Sequence, residues 1–162
     1  MGLIIKDKLQ KMFAGYPTVS DKYNVAGGIL SGSTAIHFGD LVKHTSEPGY
    51  FEPATSLSDV SDIGGIALAT NVKLSEGFGV NTVQINPGEA FNLLINGFVA
   101  MQLDSGATTA YVAPNAQVCV ILATGKLTTA DKYSSGTIEY LPNAVFTGTY
   151  DSTLKIAEVY IK

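Results

Sequence analysis

The sequence predicts an all-β protein: a small β-barrel or β-sandwich domain preceded by an N-terminal arm that carries one short helix. Three observations carry that prediction. Short apolar stretches, each bounded by turn residues, recur from about Val25 to the last residue. The 17 glycines supply the positive-φ positions that tight turns and bulges require. Helical spacing is seen at one place only, the N-terminus.

In residues 1–14, Ile5, Leu9, Met12 and Phe13 fall on one helical face, and Lys6, Asp7, Lys8, Gln10 and Lys11 fall elsewhere. Gly15 and Pro17 end the pattern. A helix this short is marginal alone in water, so it needs a surface to lie on, either its own domain or another chain. Residues 16–24 show no clean period and read as an extended segment with Tyr16 and Tyr23 as anchors. The expected organisation is an arm over 1–24 and a β-rich domain over 25–162.

Strands are expected at 26–31, 35–44, 63–70, 81–86, 89–95, 98–103, 117–122, 137–141, 144–149 and 154–161. Asn96-Gly97, between two apolar runs, signals a two-residue hairpin. A glycine bulge within one longer bent strand is the competing reading. A second turn is expected at 123–126. Pro114 and Pro142 would each open a strand, where a missing N–H donor is tolerated. Segments 45–62 and 104–113, rich in Ser, Thr, Asp, Pro and Ala, read as surface loops.

Composition narrows the function. A chain of 162 residues suits one domain, or one domain with an arm. Charged residues are 15% of the total, well below the usual level of about 25%. Much of the surface is therefore uncharged and suited to facing protein. The net charge is −4, and all 10 basic residues are lysines. An acidic chain without arginine argues against nucleic acid as a partner. The run Leu3-Ile4-Ile5 is too short for a signal-peptide core, and no apolar run approaches bilayer length. A product made in the cytoplasm, with no membrane partner, is expected.

Catalytic and metal-binding constellations fail one by one, so no enzyme activity, cofactor or metal is expected. Cys119, the single cysteine, lies in Val118-Cys119-Val120-Ile121-Leu122 and reads as a buried apolar thiol. His37, Asp40 and His44 suggest a metal set, but on one strand His37 and His44 would face opposite sides. Gly32-Ser33-Thr34 lacks the nucleophile-elbow pattern, and no lysine follows as in a phosphate-binding loop. Gly77-Phe78-Gly79 does not continue as a dinucleotide fingerprint. Glu76, Glu89 and Asp104 could pair only if the fold brought them together, and they read as solvated turn and strand-end residues.

A series of blocks, taken in order, resembles the structural cement (decoration) proteins of tailed-phage capsids. The blocks are Gly64-Gly65-Ile66-Ala67-Leu68-Ala69, then Asn86-Pro87-Gly88-Glu89-Ala90-Phe91 running on to Asn96-Gly97-Phe98-Val99. Ala113-Pro114-Asn115-Ala116-Gln117-Val118 follows, continued by Thr124-Gly125-Lys126-Leu127-Thr128. Leu141-Pro142-Asn143-Ala144-Val145-Phe146 and Leu154-Lys155-Ile156-Ala157-Glu158-Val159 complete the series, with Gly39-Asp40-Leu41-Val42 as an upstream match. Asn115-Ala116 departs from the Gly-acid pair common in such proteins, and the stretch before Gly15 is longer than usual.

The resemblance implies a non-enzymatic domain on the outer surface of a phage head. It implies the major capsid protein as partner, bridging of neighbouring subunits against internal DNA pressure, and self-association into trimers, with dimers as the alternative. Phe13, Tyr16, Pro17 and Tyr23 are the expected capsid anchors of the arm, because aromatic residues dominate interface energy. Capping of the domain's own barrel is the competing role for these four. Two rival functions are a carbohydrate- or receptor-binding virion protein and a tail-tube or head-completion subunit. The absence of tryptophan weighs against sugar stacking.

Overall fold

The structure, a computed structural model, describes residues 14–15, 23–69 and 84–162. Most of the N-terminal segment lies outside the described residues, including Phe13, Tyr16, Pro17 and all of the expected helix except Ala14.

The strands are β1 (Asn24–Leu30), β2 (Ile36–His37), β3 (Leu41–His44), β4 (Tyr50–Pro53), β5 (Ile63–Leu68) and β6 (Gln84–Ile85), then β7 (Ala90–Gln102), β8 (Gln117–Ile121), β9 (Lys126–Thr129), β10 (Ile138–Asp151) and β11 (Ile156–Ile161). Nine of them form one sheet in the order β1-β4-β3-β5-β7-β11-β10-β8-β9, and β2 pairs with β6 apart from it. The all-β expectation holds.

The long strand β7 organises the sheet. Its first half pairs with β1 on one edge and β5 on the other, and its second half pairs with β11. Because β1 also pairs with β4, the pairings at this end run β1, β4, β3, β5, β7 and back to β1. At the other end a single parallel bridge, Leu103 with Leu127, draws β9 toward the end of β7. The sheet thus curls at both ends around β7 without closing into one barrel.

Alternation along the strands creates two cores on either side of a shared wall. Leu41, Ile66, Leu68 and Leu94 enter the larger core with Val99, Met101, Val118, Val120 and Phe146. Their neighbours Val42, Ala67 and Leu93 point the other way, into a smaller core with Leu30, Phe51, Ile85 and Phe91. Strands buried on both faces read as continuous apolar runs, which is why 63–70 and 89–95 stand out in the sequence.

The structure departs from the expected strand boundaries where tertiary pairing overrides a local signal. Asn96-Gly97 is not a hairpin. Asn24 pairs with Asn96 and Val25 with Leu94, which leaves Ile95 unmatched as a bulge, and Gly97 continues the strand at φ 128°. Phe98 has no need to fold back on Phe91 because β11 supplies its partner, Tyr160. Pro142 likewise lies inside β10, not at its start. Tyr140 pairs with Cys119 and Val145 with Gln117, so the proline sits in a bulge where no ladder N–H is required.

The expected strand 35–44 is broken at Phe38 and Gly39, where Gly39 takes φ 87° and the Asp40 carboxylate accepts the His37 N–H at 2.7 Å. Within the expected loop 45–62, β4 forms because β1 and β3 both offer it backbone partners.

Candidate interaction surfaces

The first surface begins at the described end of the N-terminal segment. Ala14 is buried, and Gly15 is hydrogen-bonded on both sides. The Gly15 N–H donates to the Ala100 carbonyl at 2.7 Å, and the Ala69 N–H donates to the Gly15 carbonyl at 2.8 Å. Gly15 takes φ 75°, a left-handed value that suits glycine. The residue bridges the end of β5 and the second half of β7, where those two strands no longer pair with each other. The N-terminal segment is therefore pinned to the domain at this point.

Ala14 also lines an open cavity of about 500 Å³ with residues from 34–41, 53–55, 101–103 and 124–127. His37 and Asp40 stand in its wall with Lys126. Asp40 Oδ2 lies 3.7 Å from His37 Nδ1, and Gln84 Nε2 is 3.2 Å from His37 Nε2. Loss of solvent raises the Asp40 carboxyl above its usual range; the His37 N–H, the His37 charge and Lys126 pull it back in part. His44 lies on a different strand from His37 and packs its ring against Phe51 at 5.4 Å. Among the described residues no group of three metal-ligating side chains forms.

The second surface is apolar. A shallow groove of about 440 Å³ is lined by Val60, Ile63, Ile95, Leu141, Pro142 and Ile161, among others. Ile95, the bulged residue of β7, is 48% exposed, and Tyr23 (37%) and Val25 (41%) lie exposed on the adjoining end of β1. Of the four expected anchors, Tyr23 is thus the one the structure describes, and it sits on this face. Sequence reasoning missed Val25 and Ile95. No local signal marks Ile95, because a strand buried on both faces also reads as a continuous apolar run; the bulge opposite Asn24 and Val25 is what exposes it.

A third surface carries Tyr133 and Tyr140, stacked at 4.6 Å with an interplanar angle of 10° and both exposed. Tyr111 is also exposed, on the 3-10 turn Thr109–Tyr111. The hydrogen bond from Thr108 Oγ1 to Asp131 Oδ2 ties the start of this turn to Ala130–Lys132.

The remaining sequence candidates fall into structural roles. Glu89 accepts the Asn86 N–H in the turn before β7, and Asp104 accepts the Gly106 N–H in the turn after it. Glu76 lies outside the described residues. Cys119 is fully buried on β8, and burial, with Glu139 and Asp131 adding to it, pushes the thiol up to about 11. A thiol-specific reagent at pH 8 should therefore leave Cys119 unmodified in the folded protein and label it on denaturation. Stoichiometric labelling of the native protein would contradict the buried, protonated state.

The family model for structural cement proteins (E217 gp24/Pam3 gp6) matches residues 5–162. Among solved structures, a chain of the capsid of Myoviridae phage XM1 has the same fold, with a TM-score of 0.63 and 18% identity. The likeness covers 94% of this chain and 93% of that one. No curated protein sequence matches.

Proposed function

This chain belongs to the structural cement protein family, and from that premise we propose that it decorates the outside of a tailed-phage head, bridging and stabilising major capsid protein subunits against internal DNA pressure. The observation that carries the proposal is the span of the family match, 5–162, which includes the whole β-rich domain and most of the N-terminal segment. The low charge and the exposed apolar face at Tyr23, Val25 and Ile95 suit a protein partner. No enzymatic role enters this proposal.

The mechanism is multivalent. One weak contact per copy cannot hold a shell together. Several contacts on one symmetric oligomer act at high effective concentration and lock neighbouring subunits. Three copies are favoured, with two as the alternative. The arm, residues 1–24 with Phe13, Tyr16, Pro17 and Tyr23 as its anchors, adds a contact to the capsid protein in the same proposal. Because Ala14 and Gly15 are held by the domain, the deletion that tests the arm should remove only 1–13.

Co-sedimentation of the purified protein with expanded heads lacking it should show saturable binding at a fixed ratio to capsid subunits. The decorated heads should also survive heating better. Protein lacking 1–13 should keep its melting temperature within about 2 °C and bind more weakly, by about tenfold. Absence of binding by the full chain would remove the decoration reading. Normal binding by the shortened chain would remove residues 1–13, with Phe13, from the contact and leave it to Tyr16, Pro17, Tyr23 and the β-rich domain.

A further inference from the structure

The strand β1 is paired along its whole length on one edge and at one end only on the other. On the β7 side the pairing runs from Asn24 to Ile29. On the other side β4 meets only Ile29 and Leu30. The direction of each backbone group follows from the bonds at that end. Leu30 donates to Glu89 and accepts from Gly88, on the β7 side. Ile29 donates to the Gly49 carbonyl at 3.0 Å and Ser31 donates to the Phe51 carbonyl at 2.8 Å, on the β4 side. Alternation along the strand then turns the N–H and C=O of Val25 and Gly27 toward the β4 side, beyond the reach of β4. No partner for them exists among the described residues.

Exposed strand edges are normally guarded by lysine, proline or a covering element, because an open row of backbone donors and acceptors templates another strand. Among the described residues this edge has no such guard. Residues 23–30 contain no charge and no proline, and residues 23–27 are all exposed. A side chain at Gly27 would meet nothing within 4 Å, so the face of the strand beside this edge is open as well. The apolar face at Tyr23, Val25 and Ile95 lies beside it.

We propose that the open edge of β1 at residues 24–28 takes up a short, extended, uncharged segment of the major capsid protein as an added strand. The inference rests on the decoration reading for the identity of that partner. The geometry argues against a second copy of β1 paired over the whole of residues 24–28. An antiparallel self-pair centred on Ala26 would set the second copy's Tyr23 opposite Ile29, the position that Gly49 and β4 already hold. A segment of four or five residues from another protein fits between Asn24 and that obstruction. Backbone pairing would supply the affinity, and Val25 and Ile95 the side-chain contact.

Two variants of the full-length protein test this on expanded heads. Gly27→Lys places a guard charge in open space, and Val25→Pro removes an N–H that faces away from β7, a tolerated place for proline on an edge. Melting temperature and sedimentation in solution are measured first for each variant. Each is expected to fold as the wild type does and to bind heads at least about tenfold more weakly. Hydrogen exchange of the wild-type protein gives an independent readout. On head binding the Val25 and Gly27 amides should slow by about tenfold or more, while Ala26 and Gly28, already facing β7, change little.

If the variants bind like the wild type and those two amides stay fast, the edge is not the contact and the decoration reading survives without it. If the variants change the oligomeric state in solution, the edge joins copies of this chain and the capsid strand is overturned. If the wild-type protein itself does not bind heads, the decoration reading fails and this inference falls with it.

Discussion

Replacing Phe146 with alanine is expected to destabilise the domain by about 3–5 kcal/mol and to lower its melting temperature by about 10 °C. The side chain is fully buried in the larger core. Its backbone is fixed as well: the Phe146 N–H donates to Ala116 and its carbonyl accepts from Asn115, both at 2.8 Å. The ring's surroundings therefore cannot collapse easily into the space it leaves, and partial collapse puts the cost at the high end for aromatic truncations. A domain of ordinary stability holds about 5–15 kcal/mol in reserve, so the loss is a large fraction of the total. Denaturant and thermal unfolding of Phe146→Ala against the wild type measure it. A change below about 1 kcal/mol would mean that the site is loosely packed.

Gly15→Ala is expected to cost about 2–3 kcal/mol and to release the N-terminal segment from the domain. Two effects combine. Alanine pays for a left-handed φ of 75°. Its Cβ would also fall 2.7 Å from Phe38 Cβ and 2.8 Å from the Ala67 carbonyl oxygen. The second obstruction is backbone and cannot swing aside. The residue escapes only by surrendering its hydrogen bonds to Ala100 and Ala69. Limited proteolysis should then cut before Tyr23 much faster than in the wild type, while the β-rich domain stays intact. Gly27→Ala is the matched control: nothing lies within 4 Å, and the change should stay within about 0.5 kcal/mol. Equal behaviour of the two variants would show that the Gly15 bridge holds nothing in place.

Much of the fold was legible because the strands are bounded by strong punctuation. The runs at 63–70, 117–122 and 154–161 match β5, β8 and β11 to within a few residues. What was not legible shares one cause, that the partner of a strand is chosen far away in sequence. Asn96-Gly97 carries a strong local hairpin signal, yet β1, β5 and β11 claim the residues on both sides of it. Tyr50, Phe51 and Glu52 look like part of a polar loop until β1 and β3 bracket them.

The candidate surface was legible in kind more than in place. Low charge and the absence of a catalytic cluster pointed to protein contact, and Tyr23 was singled out. Val25 and Ile95 were not, because their exposure depends on a bulge that shifts the parity of β7 by one residue. The bridge made by Gly15 also escaped a sequence reading, since nothing in Ala14-Gly15 signals which strands it will join.

The shared wall has a consequence for how such a molecule yields. Leu93 and Leu94 are adjacent on β7, and each fills a different core. Pulling either core open drags the same strand out of the other, so among the described residues the two cores are expected to open together. A molecule built this way holds as a unit or fails as a unit.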